Sequence, residues 1–229
     1  MCAFGLFQAI CVGAQERAWR LGIHGAMHTG SSKVNWNSDS PVGAFSSHDR
    51  WSENNKLVGC RFMFVKNNKH LFGVMYEIQK TTLIDDSDIL AERILEHHAL
   101  AFYGQEFHST SKKYMPGMVR FYAGYNNLRA LDNSAYLLGY SSPNVFNTYW
   151  NGILYGMDAG LGFILGESHY ALEIALSIRF SKLNLSRAIQ EADQAELNAK
   201  GDIKGRLIGI CFGFSRQQDR KGHESVEVP

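Results

Sequence analysis

Proline is scarce in this chain, four in 229 residues, and cysteine equally so. Proline cannot donate to a backbone ladder and is confined to edges and bulges, so its rarity leaves room for long uninterrupted strands. Four cysteines are too few for a disulfide framework in a chain of this size. An excess of one charge is also missing: 23 basic residues stand against 22 acidic ones, net +1, which points away from nucleic acid and other bulk polyanions. Finally, no apolar run approaches the roughly 18 residues of a membrane-spanning helix. The length suits a single domain with a sizeable core.

What the chain does contain is alternation. Ile153, Tyr155, Met157, Ala159, Leu161, Phe163 and Leu165 take every second position, with Leu154, Gly156, Asp158, Gly160, Gly162 and Ile164 between them. After Gly166-Glu167-Ser168-His169 the pattern resumes. Tyr170, Leu172, Ile174, Leu176, Ile178 and Phe180 point one way, and Ala171, Glu173, Ala175, Ser177, Arg179 and Ser181 the other. A period of two with a four-residue polar break predicts a hairpin. One face is bulky and apolar, the other small but charged. Each arm also outruns the usual strand of about five or six residues and reaches the roughly 9–11 needed to cross a bilayer at a tilt. A barrel with lipid outside and a narrow polar interior fits this polarity. The alternative is a soluble, calycin-like barrel with the apolar face inside.

Similar patterns place strands at residues 17–28, 56–66, 70–83, 113–123, 128–140 and 203–215, making eight with the hairpin. Short turns are expected at Asn67-Asn68-Lys69, Gly124-Tyr125-Asn126-Asn127 and around Glu167. Long polar connections are expected at 29–55, 84–109, 141–151 and 183–202, the last with helical spacing over 188–197. Within 84–109, Asp85-Asp86-Ser87-Asp88 would cap a helical turn, which is the favoured reading. A further strand pair around 99–107 is the other. The fold class is thus all-β: an eight-stranded antiparallel up-and-down transmembrane β-barrel with long extracellular loops and short periplasmic turns. Trp19, Phe64, Phe72, Phe121, Phe163, Tyr170 and Phe214 are assigned to strand ends on the short-turn side, as an interfacial aromatic girdle.

Residues 1–14 read as the apolar core and cleavage site of a secretory signal without its basic start, or else as a buried first element. Residues 15–216 form the barrel and 217–229 a polar tail. Cys60 and Cys211 fall on opposite faces and read as structural thiols.

Met115-Pro116-Gly117-Met118-Val119-Arg120-Phe121-Tyr122 resembles the "IPLxxRYY" strand of small bacterial outer-membrane β-barrel proteins, the OmpA/OmpX-like and PorT-like porin families. Gly160-Leu161-Gly162-Phe163, Leu172-Glu173-Ile174-Ala175-Leu176-Ser177 and Ile208-Gly209-Ile210-Cys211-Phe212-Gly213-Phe214 are similar to their corresponding strands. The resemblance covers about 19–214 and implies the outer membrane of a Gram-negative bacterium, without implying an activity. The family usually ends on the terminal aromatic; here a polar tail follows, suited to a periplasmic contact.

Inward positions carry Arg20, Arg61, Arg120 and Arg179 with Glu77, Asp132, Asp158 and Glu173. Four cations and four anions in a narrow interior are expected to neutralise one another, since an unpaired buried charge is costly. A gated pore or proton path is the alternative. His24 and His28 share the inward face, while His97, His98 and His108 are assigned to a loop; no spacing completes a metal set. His108-Ser109 and Glu167-Ser168-His169 supply the residue types of a hydrolase without its motif. Trp36, Trp51, Tyr149 and Trp150 fall in the long connections, either to anchor a partner or to pack over the barrel mouth. No catalytic residue and no cofactor is assigned. The expected role is structural or interactive, with outer-membrane lipids and other envelope proteins as partners. A narrow solute channel is the first alternative and a lipid-modifying enzyme the second.

Overall fold

In the computed structural model, residues 17–40, 43–66, 69–84, 93–109, 112–131, 146–165, 170–190, 196 and 198–218 are described. They form eight strands: β1 (Arg17–Ser40), β2 (Gly43–Lys66), β3 (His70–Ile84), β4 (Arg93–Ser109), β5 (Lys112–Leu131), β6 (Phe146–Ile164), β7 (Tyr170–Gln190) and β8 (Ala199–Gln218). Each pairs antiparallel with its sequence neighbours, and β8 closes on β1 into a barrel. Closure leaves no edge strand, so every strand of the wall has two partners.

The register sets the barrel's dimensions. From Trp19 the pairing leads through Phe64, Phe72, Tyr103, Phe121, Met157, Ile178 and Ile208, and re-enters β1 at Thr29, ten residues above the start. That stagger over eight strands tilts them by about 40°, within the range that closed barrels adopt. Each residue then climbs roughly 2.5 Å along the axis, and one circuit roughly 25 Å.

Within that height the outward face is apolar and open. Ile23 and Leu176 are each 65% exposed, Phe212 52% and Ile174 41%, whereas Arg179 is 1% exposed and Glu173 8%. A soluble barrel would bury the first group and wet the second, so the calycin-like alternative is overturned. An exposed apolar band encircling the molecule, about as tall as the band of a transmembrane barrel, marks the surface that meets hydrocarbon. Exposed Lys66 and Arg216 lie at its lower edge, and exposed Lys56, Lys80, Lys182 and Arg206 at its upper edge.

Several expected boundaries need correction. β5 runs unbroken through Gly124-Tyr125-Asn126-Asn127, where a turn was expected. The strand expected at 128–140 therefore does not exist as such: 128–131 complete β5, and 132–145 lie outside the described residues. The 84–109 connection, read as a loop with a helical turn, contains β4 as one full strand; its proposed cap at 85–88 lies outside the described residues. One strand is lost and one gained, so the number eight stands. The lower connection expected at Asn126 is replaced by the one between the end of β4 at Ser109 and the start of β5 at Lys112. At the other lower turns, Lys69 N–H donates to the Lys66 carbonyl at 3.2 Å, and Leu165 N–H to that of Tyr170 at 3.1 Å.

The connections expected at 29–55 and 183–202 are shorter than that because the strands continue past the apolar band. β1 and β2 pair up to Ser40 and Gly43 across the supposed loop 29–55, and β7 and β8 cover much of 183–202. Above the band no hydrocarbon selects bulky residues, so the outward side turns polar while the inward side stays buried: Val34, Leu183 and Ile203 inside, Lys33, Lys182 and Lys204 outside. The expected leader at 1–14 and most of the tail lie outside the described residues; β8 itself extends to Gln218.

Leu176 sits near mid-height of the band and Thr29 at its upper rim. Leu176→Arg is expected to lower folding stability in lipid vesicles by roughly 2–4 kcal/mol, and Thr29→Arg by roughly 0–1 kcal/mol. Denaturant titration of vesicle-folded protein checks the difference; equal costs would contradict the assignment of the band to hydrocarbon.

Candidate functional site: an ion-paired lumen beneath an apolar layer

Small inward residues make room for large polar ones. A Cβ built on Gly213 would come 2.6 Å from Arg61 Nη2, and one on Gly59 2.7 Å from the His24 ring. The charged side chains thus lie across the lumen against glycines of neighbouring strands. An eight-stranded interior is just wide enough for side chains to fill.

The described charges form three groups along the axis. Lowest, Arg20 pairs with Glu106 through both guanidinium nitrogens. Above it, Glu173 forms ion pairs with Arg61 at 2.7 Å and with Arg120 at 2.9 Å, and Arg120 reaches Asp158 at 3.7 Å. Highest is a cluster around Glu77, which has no exposed surface. Arg179 grips it with both terminal nitrogens at 2.7 and 2.9 Å, while His24 Nε2 lies at 2.8 Å and His98 Nδ1 at 3.0 Å. Two carboxylate oxygens are thereby each met twice. The other nitrogen of His98 faces Glu96 at 3.3 Å, and Glu96 also accepts from Gln79, Thr81 and Asn126 at 2.8–3.0 Å. Four arginines thus face five carboxylates, and both ring nitrogens of His98 are turned to carboxylates, Glu77 and Glu96.

Of the residues singled out from the sequence, Arg20, Arg61, Glu77, Arg120, Asp158, Glu173 and Arg179 are all buried in the lumen; Asp132 lies outside the described residues. Glu96 and Glu106, which the sequence reading does not single out, and His98, which it assigns to a loop, join the lumen because 93–109 is a strand. Their signal was there: Glu96, His98, Leu100, Phe102 and Glu106 hold alternate positions, but charged and large residues share that face. His97 and His98 belong to opposite faces of β4, His97 meeting the Tyr76 hydroxyl outside at 2.7 Å. His24 and His28 do not converge: His24 binds Glu77, and His28 is buried with neither ring nitrogen partnered among the described residues. The side chains of His108, Ser109, Ser168 and His169 lie outside the described residues.

Between the charged groups the interior is filled. Met63, Leu71, Met75, Leu100, Phe102, Tyr122 and Leu154 form a buried cluster across β2–β6. Beside it a cavity of about 10 Å³ lined by His24, Arg61, Arg120 and Asp158 has room for a single water. Above the Glu77 cluster comes a layer the sequence did not disclose. Val34, Ile94, Leu128, Trp150, Leu183 and Ile203 are all buried, and the register sets them within about 7 Å of one height. Trp150, expected in an exposed connection, is 0% exposed and donates Nε1–H to Thr148 Oγ1 at 3.0 Å. Tyr149, on the outer side, lies under Arg129 at 5.0 Å. The side chains of Trp36 and Trp51 lie outside the described residues.

On the outside, Trp19, Phe64, Phe72, Phe163, Tyr170 and Phe214 lie in the lower third of the apolar band. Phe121 does not: it is roughly 12 Å above Trp19, because β5 climbs from Lys112 straight through 124–127, where the lower turn next to Phe121 was expected. Phe62, Tyr103 and Phe107 join the lower aromatics. Tyr125, Tyr155 and Phe180 form an upper set, with Tyr155 and Phe180 stacked at 5.4 Å.

Removing one partner of a buried ion pair leaves the other charge stranded, at a cost of about 3–5 kcal/mol. Glu77→Gln is expected to cost that much in unfolding titrations. Adding Arg179→Met to it should restore more than half of the loss; no recovery would show that Glu77 acts through groups other than Arg179.

No protein-family model matches the sequence, and no curated protein matches it. Among solved structures, the chain is similar to the outer membrane protein OprG from Pseudomonas aeruginosa, with 13% identity, TM-score 0.51, and coverage of 90% of this chain and 97% of that one. Neisserial surface protein A (13% identity, TM-score 0.45, 87% and 97% covered) and the Ail protein of Yersinia pestis (14%, 0.31, 83% and 97%) are more distant in shape. The closed, antiparallel, eight-stranded barrel described above is thus a fold this chain shares with an outer-membrane protein.

Proposed function

We propose that this protein is a structural or interaction barrel of the Gram-negative outer membrane, presenting its upper wall to partners and passing no solute through its interior. The observation that carries this reading is the double closure of the lumen. Glu77 is saturated by Arg179, His24 and His98, and the Trp150 layer closes the wall above it. Opening a path would strand charges that neutralise one another, at several kcal/mol for each pair broken. The wall above the band is tallest on β6, β7, β8, β1 and β2, where β1 continues roughly 25–30 Å beyond the apolar zone. A raised sheet with a polar exterior is the surface on which partners, other envelope proteins among them, would dock.

The competing reading is a narrow channel for small solutes, suggested by the water-sized cavity and the unpartnered nitrogens of His28. A lipid-modifying activity would rest on His108 and Ser109 or on Ser168 and His169. Purified protein whose unboiled gel mobility shows it folded is expected to give no steady conductance steps in a planar bilayer. Reproducible openings from wild-type protein would establish the channel instead.

A further inference from the structure

The net charge of +1 conceals a local concentration on the outer wall. Lys33 on β1, Lys204 on β8 and Lys182 on β7 are directly opposite one another in register. All three are exposed on the outward face. The row thus spans three adjacent strands. Arg206, two residues below Lys204, is also exposed and has its guanidinium over the Phe180 ring at 5.9 Å. Like charges directly opposite in a sheet repel and destabilise it. The one carboxylate among the described outward neighbours is Asp202, 3.3 Å from Lys204. Nothing in the barrel calls for such a row, and an anion lying across it would relieve the repulsion.

Its height says which anion. The row climbs from the upper edge of the apolar band at Lys182 to roughly 10 Å above it at Lys33, the zone in which the headgroups of a leaflet lie. Lower on the same strands lie exposed apolar side chains: Leu176 on β7, Ile208 and Ile210 on β8, Met27 on β1. A ligand that fills both surfaces has phosphate at one end and acyl chains at the other. We infer that Lys33, Lys182, Lys204 and Arg206 form a binding site for the phosphate groups of a phosphorylated lipid whose chains lie along β7, β8 and β1. The site rests on the membrane orientation proposed above. It is also local: among the described residues the other exposed basic pair in register, Lys56 and Lys80 on β2 and β3, has two cations where this site has four.

The test uses the full folded chain in phosphatidylcholine nanodiscs, with and without diphosphoryl lipid A, and native mass spectrometry to read the lipid retained. At about a fivefold loss for each basic residue removed, Lys33→Gln/Lys182→Gln/Lys204→Gln should weaken retention roughly 100-fold. Lys56→Gln/Lys80→Gln should keep most of it, and Lys33→Arg/Lys182→Arg/Lys204→Arg should retain the lipid. Equal retention by wild type and the glutamine triple overturns the site, as does an equal loss in the Lys56/Lys80 pair. Displacement of the lipid by inorganic phosphate would show a free-anion site and overturn the lipid assignment. Every variant is first checked for the heat-dependent gel shift of a folded barrel. Loss of that shift in wild type would refute the membrane reading, whereas loss of lipid with the shift intact refutes only this site.

Discussion

A closed sheet of eight strands has one interior, and a charge turned into it has nowhere else to find an answer. The rest of the structure follows from that requirement. Because hydrocarbon occupies the outside, polarity is forced inward, and because the lumen is narrow, it must be neutralised there by contact. Glu77 shows how tightly: a carboxylate with no exposed surface takes donors from β1, β4 and β7, on both sides of the barrel. The inward glycines are the counterpart of this crowding, since Arg61 and His24 occupy the space that side chains at Gly213 and Gly59 would need. Charge pairing and glycine placement are therefore two aspects of one packing solution.

How much of this was legible depended on contrast between the two faces. The β6–β7 hairpin declared itself because Leu172, Ile174 and Leu176 alternate with Glu173, Ala175 and Ser177. β4 concealed itself because Ala99 and Ala101 face lipid while Leu100 and Phe102 face the lumen, so size and polarity no longer separate inside from outside. Gly124 and Asn126 have the composition of a turn but serve the wall instead. The Gly124 α-carbon passes so close to β4 that a Cβ would lie 2.1 Å from the Ala99 carbonyl oxygen. Asn126 turns inward to donate to Glu96 at 3.0 Å.

The candidate site divides in the same way. Alternation alone turned Arg20, Arg61, Arg120 and Arg179 inward, but which carboxylate each would meet depends on the stagger between strands, and no local pattern records it. Arg20 meets Glu106, a residue 86 positions away on a strand that had been read as a loop. The layer around Trp150 escaped for another reason. Its six members come from six strands and share only a height, a property that exists once the register is set. Overall charge was misleading too, since near-neutrality of the chain hides both the ion-paired interior and the unbalanced outer row.

The uneven strand lengths also bear on where the wall is best sewn. The seam between β1 and β8 runs without a break from Trp19 to Ser38, while the described ladder between β3 and β4 spans only His70 to Thr81. Loop-closure entropy grows slowly with separation, so joining the two ends of the chain costs only modestly more than joining two halves of a hairpin. The seam that unites the most distant residues is thus among the most heavily stitched, and the wall is thinnest in hydrogen bonds on the far side of the cylinder.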